Sequence, residues 1–172
     1  VHLLCNFGIV DVDKIDGIGI NAKLNEFSAA MGLCILDDIE NILQQRAEIA
    51  HRYTTRLVDY VDLQKPEDNS QLNNSYYPIA LSDEQQLLRL RSALNTNGIN
   101  PRRYFYPSLD TLEYLQPQAA QTASRSLAER VLCLPIYPGL KVEDQERVIN
   151  TVIAECSLGR AAYRTPNLAQ VI

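Results

Sequence analysis

A chain of 172 residues that is 46% hydrophobic and 22% charged has the apolar material for a packed core and an ordinary balance of charge. Its formal net charge of −5 speaks against a general phosphate-backbone binder, which needs a basic patch or stripe, so no nucleic-acid partner is expected. No apolar run approaches the roughly 18 residues of a membrane span, and no basic-then-apolar segment opens the chain, so no membrane partner is expected either.

Residues 1–24 read as a connector. "VHLLCNFGIV" has the make-up of a short strand running into a loop, and "DVDKIDGIG" is polar and glycine-containing. From Asn25 the pattern becomes helical, with Asn25 as N-cap and Glu26 in the first turn. Ile35, Ile39, Ile42, Ile49, Tyr53 and Leu57, with Arg46 between them, recur at spacings of three and four. One long helix over 25–65 is predicted. Small residues near its start (Ala29, Ala30, Gly32) would let another backbone approach. A helix of about 35 residues spans roughly 50 Å. That exceeds a globule of this size, so the helix either breaks near Gly32 or Asp37 or links two bodies.

Residues 66–157 carry the signals of a small α/β domain. "EDNSQLNNS" is a loop and "YYPIAL" a strand. "SDEQQLLRLRSALNTNG" is a helix, with Ser82 and Gln85 as a capping box and Gly98 closing its end. "INPRRYFYPSL" reads as a strand or strand edge between Pro101 and Pro107. A helix is predicted from about Gln118 to Val131, then a short strand at "CLPIYP", then a helix at "VEDQERVINTVIAEC" with Val148, Ile149, Val152, Ile153 and Cys156 on one face. Residues 158–172 show no period and are expected to be a loosely held tail. The fold class is α/β: a long N-terminal helix followed by a small sandwich of sheet and helices.

The four cysteines, Cys5, Cys34, Cys133 and Cys156, make no C-x-x-C pair, and only His2 and His51 accompany them. Zinc-ligand spacing is absent and no metal site is expected. Buried free thiols in a reducing compartment are the expected state, which points to the cytoplasm. Asp37, Asp38 and Glu40 read as a solvated helix face and His51 as a surface or interface histidine. Ser108 lacks the G-x-S-x-G context of a hydrolase.

The stretch "GINAKLNEFSAAMG" (Gly19 to Gly32) resembles the pattern G-x-N-x-K-[LM]-x-E-x-x-A-A-x-G of the DegT/DnrJ/EryC1/StrS family of nucleotide-sugar aminotransferases, fold-type-I enzymes that use pyridoxal 5′-phosphate (PLP). "RAEIAHRY", "GINPRRYFYPSL", "LCLPIYPGL" and "EDQERVINTVI" continue the resemblance in order, from about Asn6 to Cys156, and "RRYFYPSL" is similar to members acting on dTDP-linked amino sugars.

The resemblance implies that Asn21 holds the PLP phosphate of a partner subunit, with Lys23 a basic group near phosphate or substrate. An amide and an ammonium are suitable donors for that anion. A solvated turn shaped by Asn21 is the other reading. Arg102, Arg103, Tyr104 and Tyr106 lie in the family's sugar-nucleotide segment, where Arg103 and Tyr104 are the candidate substrate contacts. The other reading there is a strand edge with outward arginines and core aromatics.

The catalytic Schiff-base lysine of the family lies upstream of the segment matching "NFG". Lys14, Lys23, Lys65 and Lys141 do not match it, and the ring-binding groups of the large domain are not in this sequence. The chain is therefore expected to be the C-terminal part of such an enzyme, large domain absent, a homodimer through the long helix. It is expected to bind no PLP by itself and to have no catalytic residue and no activity alone. The alternative is a naturally truncated stand-alone module that dimerises or binds a partner.

Overall fold

The computed structural model describes residues 1–66, 69–104, 106–115 and 121–162, the side chains of 159–162 excepted. The chain is a mixed α/β protein of two compact units, Val1–Asn41 and Ile42–Ile172.

In the first unit a one-turn helix, α1 (His2–Cys5), precedes an antiparallel hairpin of β1 (Ile9–Asp11) and β2 (Lys14–Ile15), with Ile9 opposite Ile15. The expected strand at the start is thus a helical turn, and the expected connector holds the hairpin. Backbone bonds tie residues 16–22 to residues 3–8: Ile20 N–H to Leu4 O (2.7 Å), Ala22 N–H to Cys5 O (3.0 Å) and Asp16 N–H to Gly8 O (2.9 Å). The approach requires glycine twice. Gly8 has φ +76° and a Cβ there would lie 2.0 Å from Gly17 O; a Cβ on Gly19 would lie 2.2 Å from Gly8 N.

The predicted long helix is two helices. α2 (Glu26–Asp37) starts where Asn25 Oδ1 accepts the Ser28 N–H at 2.8 Å, and α3 (Ile39–Leu57) follows after Asp38 leaves helical geometry at φ −111°, ψ 11°. Aspartate is a poor interior residue and a favoured helix-start residue, and the Asp38 carboxylate takes up the Asn41 side-chain amide one turn on. Nor does the helix reach residue 65. Asp62 and Leu63 form β3, because pairing with β4 (Tyr77–Ala80) overrides the local helical pattern. The apolar stripe is buried only in the second half of α3, at Ile49, Ala50, Tyr53 and Leu57; no residue of α2 is buried.

The second unit is organised by a three-stranded antiparallel sheet, order β3-β4-β5, with β5 spanning Val131–Leu134. In register, Ile79 opposes both Leu63 and Leu132, and Tyr77 opposes Leu134, so one face is apolar. Onto it pack Tyr53 and Leu57 of α3, Leu87, Leu90 and Leu94 of α4 (Glu84–Thr96), and Val148, Ile149, Val152 and Cys156 of α6 (Val142–Ala162). Tyr53 is fully buried and its hydroxyl donates to Pro135 O at 2.9 Å. Burial raises its pKa, which keeps it a neutral donor.

The ends of α4 follow local chemistry, one residue later than expected at the start. Asp83, not Ser82, is the N-cap, accepting the Gln86 N–H at 2.7 Å, while Gln86 Oε1 accepts the Ser82 N–H at 2.9 Å. At the other end Gly98, φ +74°, is C′ as predicted. Ile99 N–H bonds Leu94 O and Gly98 N–H bonds Asn95 O, both at 2.9 Å, which closes a Schellman motif.

α5 covers Thr122–Arg130, inside the predicted helix, whose residues 118–120 lie outside the described residues. β5 begins two residues before "CLPIYP" and stops before Pro135, which has no N–H for a ladder. "INPRRYFYPSL" contributes one bridge, Arg102 with Cys133, rather than a strand; Phe105 lies outside the described residues. The predicted tail starts inside α6, which runs to Ala162; residues 163–172 lie outside the described residues. Of the cysteines, Cys133 and Cys156 are buried, Cys5 is half-buried and Cys34 is exposed, so burial holds for two of the four.

Truncating Leu90 to Ala, with zero exposure, should cost about 2–5 kcal/mol in a denaturant melt, whereas Val12→Ala in the β1–β2 turn, 93% exposed, should stay within about 0.5 kcal/mol.

Candidate functional site

The Gly19–Lys23 segment belongs to the first unit. Asn21 is exposed, and its backbone is fixed by the bridge to Asn6 and the Ala22–Cys5 and Ile20–Leu4 bonds on either side. The amide side chain therefore projects from a backbone held on both flanks. Lys23 Nζ sits 5.1 Å from the centroid of the Phe7 ring, within cation–π range. Phe7 has φ 55°, and its N–H bonds Ile20 O at 3.2 Å. The unusual backbone at Phe7 thus belongs to the same clasp that holds residues 20–22. The sequence reading missed Phe7; the "NFG" tripeptide, with glycine directly after it, was the available signal.

The Arg102–Tyr106 segment belongs to the second unit, and its two adjacent arginines go to different places. Arg102 is exposed; its N–H bonds Cys133 O (3.0 Å) and its carbonyl accepts the Cys133 N–H (2.8 Å). Arg103 is folded inward, with its side chain 11% exposed. Its Nη2 lies 2.5 Å from Glu84 Oε1 and 3.1 Å from Glu129 O, and its guanidinium carbon stands 3.5 Å over the Tyr106 ring. Its Nε is buried with no acceptor among the described residues. This guanidinium ties the segment to the first turn of α4 and the last turn of α5. That is a fastening task for the residue expected to contact substrate. Tyr104 is half-buried, edge-on to Tyr76 with centroids 4.9 Å apart.

Beyond this segment a polar network joins Ser108 to α5. Asp110 accepts the Gln121 N–H (2.7 Å), the Ser108 hydroxyl and Arg125 Nε (2.8 Å), and Ser108 also bonds Ser124 (2.8 Å). The Gln121 amide first, then the Ser108 hydroxyl and Arg125, hold the Asp110 carboxyl down at about 2. Ser108 is thus buried in a structural network.

The chemistry available in the described residues is narrow. All four lysines are exposed. The Cys133 thiol is pushed up to about 11 by burial, which disfavours a thiolate nucleophile. No group of three potential metal ligands occurs among the described residues. Asp37, Asp38, Glu40 and His51 are all exposed. No helix among the described residues is long and apolar enough to cross a membrane.

Comparison with known proteins gives one consistent answer. The model of the DegT/DnrJ/EryC1/StrS aminotransferase family matches residues 1–153. A dTDP-4-amino-4,6-dideoxy-D-glucose transaminase of Shigella dysenteriae is 32% identical over 159 residues, 88% of this chain and 43% of the relative. The Escherichia coli protein of the same name is 33% identical over 152 residues, 83% of this chain and 41% of its own length. The crystal structure of a DegT DnrJ EryC1 StrS aminotransferase from Brucella abortus superposes with a TM-score of 0.80 at 24% identity, over 89% of this chain and 42% of that one. S. venezuelae DesV, in complex with a ketimine intermediate, gives 0.81 at 22%, over 90% and 43%. The chain thus spans about 43% of the length of the first of these relatives.

The Glu84–Arg103 pair should show a coupling of about 1 kcal/mol in a double-mutant cycle of Glu84→Gln and Arg103→Gln, because one partner is nearly buried and the other only partly exposed. Asp110 has a lowered pKa, so it contributes stability above the unfolded carboxylate value near pH 4 and loses it as pH falls toward about 2. The difference in Tm between wild type and Asp110→Asn should be constant above about pH 5 and shrink between about pH 4 and pH 2.

Proposed function

The chain belongs to the DegT/DnrJ/EryC1/StrS aminotransferase family, and from that membership we propose that it is the C-terminal part of a PLP-dependent aminotransferase acting on a nucleotide-linked keto sugar. The observation that carries this reading is the Gly19–Gly32 motif on a backbone clasp that projects an exposed Asn21. In this reading the Asn21 amide donates to the phosphate of the PLP in a partner subunit, and Lys23 adds positive charge beside it. PLP, when bound, supplies the electron sink for amino transfer; this chain's residues grip and orient. Tyr104 meets the sugar nucleotide, and Arg103 acts on that ligand through the segment it fastens. A dTDP-linked sugar is the favoured substrate class, after the names of the two transaminases above. The cytoplasm is the fitting compartment for such a reaction.

The parts fit a grip on the cofactor better than its chemistry. None of Lys14, Lys23, Lys65 and Lys141 is buried, whereas a Schiff-base lysine works from an enclosed site. We therefore assign this chain no transamination by itself and place the missing lysine in a large domain.

A homodimer is part of the reading, and α2 favours it. The helix is apolar on all sides, with Phe27 87%, Met31 62% and Leu36 62% exposed, and helices of that kind are ordinarily covered. The same observation supports a second reading, a stand-alone module whose work is assembly without catalysis.

Sequencing the source locus upstream of the Val1 codon separates the two. An open frame of some 200 residues with a lysine shortly before Asn6 is expected, and a start codon at Val1 would favour the module. On the chain itself, one equivalent of PLP followed by borohydride should leave no stoichiometric adduct. A trapped lysine at any of the four positions would overturn the assignment of the Schiff base elsewhere.

A further inference from the structure

Phe7 is an odd residue for its place. Its φ of 55° lies in the left-handed region, which glycine and asparagine adopt at little cost and a bulky side chain does not. Burial does not explain the choice either, since 41% of Phe7 stays open to solvent. What its ring does meet is a cation, the Lys23 ammonium, 5.1 Å from the centroid.

The clasp of the first unit sets this contact up. Phe7 N–H bonds Ile20 O at 3.2 Å, and Asn6 bridges Asn21. Phe7 is therefore held against Ile20, on one side of Asn21, while Lys23 follows on the other. A side chain that starts at Lys23 and ends over Phe7 runs back across the Asn21 bridge. The ammonium is thus brought to the stretch that projects the Asn21 amide. Among the described residues Lys23 forms no ion pair. That difference matters chemically. A carboxylate would hold the ammonium and cancel its charge. A ring face holds it through the ring quadrupole and leaves the charge and the outward N–H donors for an anion.

We propose that Phe7 is the positioning residue of Lys23, its ring confining a flexible ammonium beside Asn21 so that both donors meet one phosphate. This rests on the reading that Asn21 grips the PLP phosphate of a partner subunit. The left-handed backbone at Phe7 then has a reason. Strained residues persist where their surroundings fix them, and ligand clamps are such places.

The contact is tested first on the 172-residue chain by NMR. The Lys23 Cε protons should be shifted upfield by the ring current, stay so in Phe7→Tyr, and return to the ordinary lysine position in Phe7→Leu. Leucine keeps apolar bulk and a Cβ at the same φ, so backbone strain is common to all three. The role is tested in the full-length enzyme read from the source locus, by titrating its apo form with PLP. Phe7→Leu should weaken PLP binding about threefold. Phe7→Tyr should bind as the wild type does, and in a Lys23→Met background Phe7→Leu should change nothing further. A Phe7 that only holds the fold would weaken binding in both backgrounds, and that result overturns the proposal. So does a wild-type PLP affinity in Phe7→Leu, or a Lys23 resonance that is not shifted in the wild type. Undiminished PLP affinity in Asn21→Ala instead overturns the phosphate reading itself, and this inference with it.

Discussion

Across β4 and β5, Ile79 faces Leu132 and Tyr77 faces Leu134. Because strand side chains alternate, this register decides which face of the sheet is apolar, and a slip of one residue would expose all four. The helices answer that face with their own periodicity. Leu87, Leu90 and Leu94 of α4 and Val148, Ile149 and Val152 of α6 are spaced to lie on one side of each helix and are buried against the sheet. Each such side chain contributes on the order of 1.5–3 kcal/mol by leaving water. The register therefore organises α3, α4 and α6 at once, and it leaves the Cys133 N–H and C=O at the free edge of β5, where the bridge to Arg102 forms.

From that bridge the candidate ligand segment takes its geometry. Arg102 is pinned through two main-chain bonds, so Arg103 must turn the other way. There its guanidinium finds Glu84, the Glu129 carbonyl and the ring of Tyr106. A planar cation with five donors can stack and bond at the same time, which lysine cannot do. Arg103 thus links α4, α5 and the aromatic segment. The same economy appears in the first unit, where Gly8 and Gly19 let backbone meet backbone and Asn21 is left on a clasped loop.

Much of this was legible in local sequence. Asn25, Gly98 and the leucine spacing of α4 act within one or two turns, and the structure places each as expected. The family motifs were likewise legible, because glycine, asparagine and lysine at fixed spacing are a one-dimensional signal. Where a residue had to choose between local and distant partners, sequence reading failed. Asp62 and Leu63 carry a helix-compatible pattern yet join β4, and no local signal marks the pairing of Arg103 with Glu84, 19 residues away.

The sequence by itself determined the class of protein, the helix ends and the segment that bears Asn21, because caps, periodicity and motif spacing are properties of neighbouring residues. Only the tertiary structure decided that the sheet claims residues 62–63, and that of two adjacent arginines one lies outside and the other fastens the fold. Those outcomes rest on pairings between distant residues, whose free energy outweighs the local preferences that a sequence displays.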